Sequence, residues 1–281
     1  SILANDMGGA PLAQALALNE DSGNFGGLIV GDMLGPTIVF TIPVALCIIR
    51  EEDRKYLATG VLAGVITIPI GSLAGGLAAG YSIVMVLRNL IPIIIFAVLI
   101  ALGLWKFENA MVKGFTYFGK FVVAVITLGL GVGIIEQLTG IVLIPGMNPI
   151  REGFEVVADI AIVLAGAFPL VYVITKVLKK PLMGLGKVLG MNEVAAAGLV
   201  ASLANSIPMF GMMKDMDDRG KVLNVAFAVS AAFVFGDHLG FTAGFNQDMI
   251  FPMIVGKLVG GITAVFAALL LVRNKSVSKE A

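Results

Sequence analysis

Three carboxylates lie in stretches that are otherwise apolar. Asp6 sits in Asn5-Asp6-Met7-Gly8-Gly9, Asp32 in Gly31-Asp32-Met33-Leu34-Gly35-Pro36-Thr37, and Asp237 in Gly236-Asp237-His238-Leu239-Gly240-Phe241-Thr242. An acid inside a membrane-spanning segment costs about 2.5–3.5 kcal/mol to insert, so each is a functional-site hypothesis by default. Gly35-Pro36 after Asp32 breaks the helical ladder and opens backbone carbonyls, and Gly240 follows Asp237. A carboxylate beside opened carbonyls is a site for a cation. The competing structural role for these acids is to cap or hydrogen-bond a neighbouring helix at its break.

Asn5, Asn205, Ser206, Thr37 and Thr242 supply neutral donors and acceptors near the same breaks. They suit a hydroxyl or an amine, and they also suit helix–helix hydrogen bonds. His238 is the only histidine in the chain. Its reference pKa near 6.5 fits a proton relay, although a hydrogen bond within a bundle is the commoner role. A lone histidine makes no metal site, and no Cys/His cluster accompanies it. Nucleophile-elbow, HExxH and P-loop patterns are absent. No catalytic residue and no cofactor is therefore expected.

These side chains need a membrane scaffold to hold them. The 281 residues are 58% hydrophobic and only 14% charged, with a mean hydropathy of +0.98. Soluble domains carry roughly 25% charged residues. The excess lies in long Leu/Ile/Val-rich runs without period-2 alternation, which favours spanning helices of about 20 residues over barrel strands. The class is an all-α polytopic membrane protein within the lipid bilayer. Net charge is zero, which gives no reason to expect nucleic acid as a partner. Cys47 is the single cysteine, so no internal disulfide can form. The opening at Ser1, partway through a motif, suggests a fragment that lacks upstream helices.

Helical blocks are expected near 25–49, 56–80, 86–105, 115–137, 154–178, 221–244 and 249–272. Cytoplasmic loops collect Lys and Arg. The basic loops carry Arg50, Arg54 and Lys55, then Lys106 and Lys113, then Lys179, Lys180 and Lys187, with Arg273 and Lys275 on the tail. Single crossings throughout would put Lys214, Arg219 and Lys221 outside. That conflict disappears if residues 193–213 form a re-entrant hairpin broken at Asn205-Ser206.

Three phrases recur in the same order. Leu3-Ala4-Asn5 returns at 203–205, GDxLGxT at 31–37 returns at 236–242, and GxLxGxIT at 60–67 returns at 256–263. With the hairpin, the two copies run in opposite directions, as inverted repeats whose broken helices line a midplane site. The organisation expected is a first repeat over 1–80, connecting helices over 81–180, and a second repeat over 181–281. Asp32 falls early in its block and Asp237 late in its own, which a symmetric placement does not explain.

The chain resembles the ethanolamine utilisation permeases of the EutH type. The resemblance rests on NDMGG at 5–9, LGPTIVFTIPVAL at 34–46, DRKYLATGVLAGVITIPIGSLAGGL at 53–77, AAAGLVASLANSIPMFGMMKDMDDRGK at 195–221, AVSAAFVFGDHLGF at 228–241 and FPMIVGKLVGGITA at 251–264. It implies uptake of ethanolamine across a bacterial cytoplasmic membrane by a multi-pass carrier, and a homo-oligomer is compatible with it. By analogy with lysine, ethanolamine is mostly a cation at neutral pH. Asp32 and Asp237 are the expected cation ligands, with Asp6, Asn5, Asn205, Ser206, Thr37 and Thr242 lining the site. The alternatives are an ion-coupled carrier of another small cation or amino compound, and a non-transporting intramembrane enzyme or sensor subunit.

Overall fold

The computed structural model describes residues 9–277, which are helical and contain no strand. A short α1 (Ala10–Leu16) precedes α2 (Glu20–Ile48). The second span is made of α3 (Arg54–Val65) and α4 (Ile68–Ala78). Three long helices follow, α5 (Ile83–Lys106), α6 (Glu108–Thr139) and α7 (Ile150–Leu189). Then come α8 (Glu193–Ala204), α9 (Ser206–Met212), α10 (Asp218–Ala231), α11 (Asp237–Phe245) and α12 (Ile250–Val277).

Among the described residues five helical segments are long and apolar enough to cross a membrane: Glu20–Ile48, Glu51–Ala78, Ile83–Leu104, Lys113–Thr139 and Gln247–Val272. The chain is thus a polytopic α-helical membrane protein. Polar side chains mark where its helices begin. Asn19, Ser82, Asn192, Asn205 and Asp217 each accept a backbone N–H from the first turn of the helix that follows, which satisfies donors that would otherwise be orphaned in the helix end. On α5, Ile91, Ile95 and Leu99 form an exposed stripe at i, i+4, i+8 that suits lipid contact.

Residues 193–213 form the expected hairpin. Its entrance and exit are tied together, because Asn192 N–H donates to Asp217 Oδ1 at 2.7 Å and Asn192 Nδ2 donates to the Asp215 carbonyl at 2.9 Å. Neither arm is long enough to span. The block expected at 221–244 departs from a single helix. It unwinds over 232–236, leaving α10 and α11 as separate pieces.

The centre of the bundle is built by close glycine crossings. A Cβ added to Gly60 would meet Val225 Cβ at 2.5 Å, and Gly64 faces Val229 in the same way, so α3 and α10 run parallel. Gly71 lies against Gly256 and Gly260, and Gly75 against Pro252 and Gly256, so α4 and α12 run antiparallel. Thr67 Oγ1, at the break between α3 and α4, donates to Gly64 O at 2.8 Å and reaches Gly260 O at 3.3 Å.

Candidate functional site

Asp32 occupies the middle of α2, between π-helical stretches at Phe25–Val30 and Thr37–Thr41. Pro36 lies four residues further on and has no N–H to return to the Asp32 carbonyl. That carbonyl accepts instead from Lys257 Nζ of α12, at 2.6 Å. Both residues are only 1% exposed. The opened carbonyl read from Gly35-Pro36 therefore exists, and a cation is on it, but the cation belongs to the chain.

Opposite Asp32 stands the unwound stretch 232–236. Its backbone is held by the hairpin: Phe233 N–H donates to Ser202 O at 3.0 Å and Phe235 N–H to Leu203 O at 2.9 Å. These are last-turn carbonyls of α8, which no intrahelical donor can reach. Gly236 is pressed against the Ala204 carbonyl so closely that a Cβ would collide with it. Phe233 pays for this seat with a left-handed conformation, φ 66°, strained for a bulky side chain. Its ring packs edge-on to Phe40 at 5.7 Å and stacks on His238 at 5.2 Å.

The stretch delivers Asp237 and His238 at the start of α11. His238 is 2% exposed, and its Nδ1 lies 3.9 Å from Asp32 Oδ2. The two GD motifs of the sequence thus meet at one place, Asp32 on α2 and Asp237-His238 on α11. Asp237 itself is half-buried.

The neutral candidates divide. Thr37 Oγ1 donates to Met33 O at 2.8 Å and to Val229 O at 3.1 Å, which ties α2 to α10. Asn205 Oδ1 accepts from Ile207 N–H at 2.8 Å and so caps α9. Ser206 and Thr242 are fully buried, and their hydroxyls have no hydrogen-bond partner among the described residues. Buried polar groups are normally paired, so these two are the ones with capacity to receive a ligand. Thr242 follows His238 by four residues and shares its helix face. Asn5 and Asp6 lie outside the described residues.

Lys257 is the residue that attention to the acids alone passes over. Its signal was present, since it is a base well inside the apolar run 249–272, where a charge calls for the same default as Asp32. The described residues contain no cluster of His, Cys, Asp and Glu able to hold a metal ion.

The chain matches the family described as "Ethanolamine utilisation protein, EutH" over residues 1–271. It is 71% identical over 265 residues to the "Probable ethanolamine permease EutH" of Listeria monocytogenes, covering 94% of this chain and 71% of that one. It is 54% identical over 296 residues to the protein of the same name from Escherichia coli, covering 97% and 72%. An uncharacterized Bacillus subtilis protein, YxeR, is 53% identical over 268 residues, covering 95% and 72%. No solved structure matches the chain. With the match running over nearly all of its length and beside such identities, the chain belongs to the EutH family.

Proposed function

We propose that this chain is a permease that carries ethanolamine, as its ammonium form, across the bacterial cytoplasmic membrane. The observation that carries the proposal is the crossing at Asp32. There a distorted span, an unwound helix and a re-entrant hairpin bring His238, the neighbour of Asp237, to 3.9 Å from the buried Asp32. Discontinuous helices around a midplane site are the recurring architecture of secondary transporters. Relatives named as probable ethanolamine permeases point to the same substrate.

In this reading the two acids hold the ammonium and the hydroxyls of Ser206 or Thr242 receive the substrate's OH group. Asn205 and Thr37 keep the broken elements in place. Asp6 and Asn5 remain proposed contributors. The antiparallel run of α4, which continues from the 60–67 phrase, against α12, which carries the 256–263 phrase, supports an inverted pair, with 1–80 and 181–281 as its halves. A second substrate, another small amine, would use the same ligands. Choline and serinol as competitors distinguish it.

The test is uptake and counterflow of labelled ethanolamine in proteoliposomes containing the full-length protein. Asp32→Asn and Asp237→Asn should each lower uptake by about tenfold to a hundredfold, the size of one lost hydrogen bond to a charged group. Wild-type rates in both variants, with folding retained, would remove the acids from the site. Uptake that collapses with the pH gradient would make the carrier proton-coupled and give His238 its relay role.

A further inference from the structure

We infer that Lys257 is a specificity-determining residue, which supplies one ammonium to a site built for two and so restricts the carrier to singly charged amines. This role presupposes the amine-carrier function proposed above.

Charge is the first ground. The elements that meet at the crossing carry Asp32 on α2, Asp237 and His238 at the start of α11, and Lys257 on α12. With His238 neutral, two carboxylates against one ammonium leave a single negative charge. One ethanolammonium ion completes that balance, which a buried site of low dielectric strongly favours. A doubly charged amine would overshoot it.

Geometry is the second ground. A lysine head is a primary alkylammonium, the same chemical group as the amine end of ethanolamine. Its Nζ sits 2.6 Å from the carbonyl that Pro36 leaves open. The crossing therefore already displays how it binds a primary ammonium, and Lys257 occupies that position permanently by its tether.

The repeat provides the third ground. In the phrase GxLxGxIT the first copy reads Gly60-Val61-Leu62 and the second Gly256-Lys257-Leu258. Both copies are buried, Val61 at 2% exposure and Lys257 at 1%. Helix packing at this position is satisfied by an isopropyl group in one copy. An intramembrane ammonium in the other is costly, and packing does not require it.

The experiment compares wild type with Lys257→Ala and Lys257→Gln in full-length protein. Glutamine keeps an N–H for the Asp32 carbonyl and so preserves the fold where alanine does not. The probes are ethanolamine and the diamines 1,2-diaminoethane, 1,3-diaminopropane and 1,4-diaminobutane. They are read both as inhibitors of uptake and as stabilisers of the purified protein against heat. In the variants, at least one diamine should bind tighter than to wild type by about tenfold, equivalent to about 1.4 kcal/mol, and the preference for ethanolamine over that diamine should fall. Unchanged diamine binding in a folded variant would overturn the inference. If wild type itself carries no ethanolamine, the proposed function fails. The thermal shift with diamines still decides the part assigned to Lys257.

Discussion

Asp32 meets Lys257 because Pro36 has no hydrogen to give back, and this one missing donor organises the centre of the molecule. A buried charge pair lies at the basic end of the bundle. Lys221 Nζ of α10 lies 2.6 Å from Asp53 Oδ1, just before α3, and over the ring of Tyr56 at 5.1 Å. The Asp53 side chain is 1% exposed and that of Lys221 11%. Removing one member of such a pair leaves an uncompensated charge, whereas removing both does not. Asp53→Asn alone should destabilise the protein by about 3 kcal/mol, and adding Lys221→Met should recover most of the loss. Denaturation in detergent micelles measures both. Additive losses in the double variant would mean that the pair does not act as a unit. From the sequence, the acids and the opened carbonyl at Pro36 were legible. The partners of Asp53 and Asp32 were not, because 168 and 225 residues separate the members of each pair.

At the level of elements, the break between α10 and α11 decides where the site lies. Nothing in Ala231-Ala232-Phe233-Val234-Phe235-Gly236 forbids a helix, and no proline interrupts it. The sequence therefore reads as one continuous block over 221–244. The unwinding is imposed by tertiary bonding, in which the terminal carbonyls of α8 take the N–H groups of Phe233 and Phe235. It also removes the puzzle of Asp237, which looks late in its block yet opens a new helix. By contrast, the hairpin itself was legible, since Asn205-Ser206 divides residues 193–213 into halves too short to span. Gly236 is the hinge of the contact. Gly236→Ala would drive a methyl group into the Ala204 carbonyl. Uptake should fall by tenfold or more, about 1.4 kcal/mol, while circular dichroism reports unchanged helix content. Normal uptake in this variant would show that the hairpin need not sit against the break.

For the whole molecule, the direction of each helix follows from which ends touch. Asn192 is bonded to Asp215 and Asp217, so the hairpin returns to the side it left. The parallel run of α3 with α10 and the antiparallel run of α4 with α12 then require the loops near Glu52 and Lys214 to share one face. The turns near Asn19 and Asp248 belong to the other face. The loop-charge rule predicts that the first face is the cytoplasmic one. Cys47 is the only cysteine of these 281 residues and is exposed, so Cys47→Ser, with any cysteine outside them also replaced, supplies a background for single introduced cysteines. Glu52→Cys and Lys214→Cys should react with a membrane-impermeant maleimide only from the cytoplasmic side, and Asn19→Cys and Asp248→Cys only from outside. All four positions are exposed, so access is limited by the membrane alone. Labelling of Lys214→Cys from outside would mean that residues 193–213 cross the bilayer. The two GD phrases would then run in the same direction, and the inverted pairing would be lost.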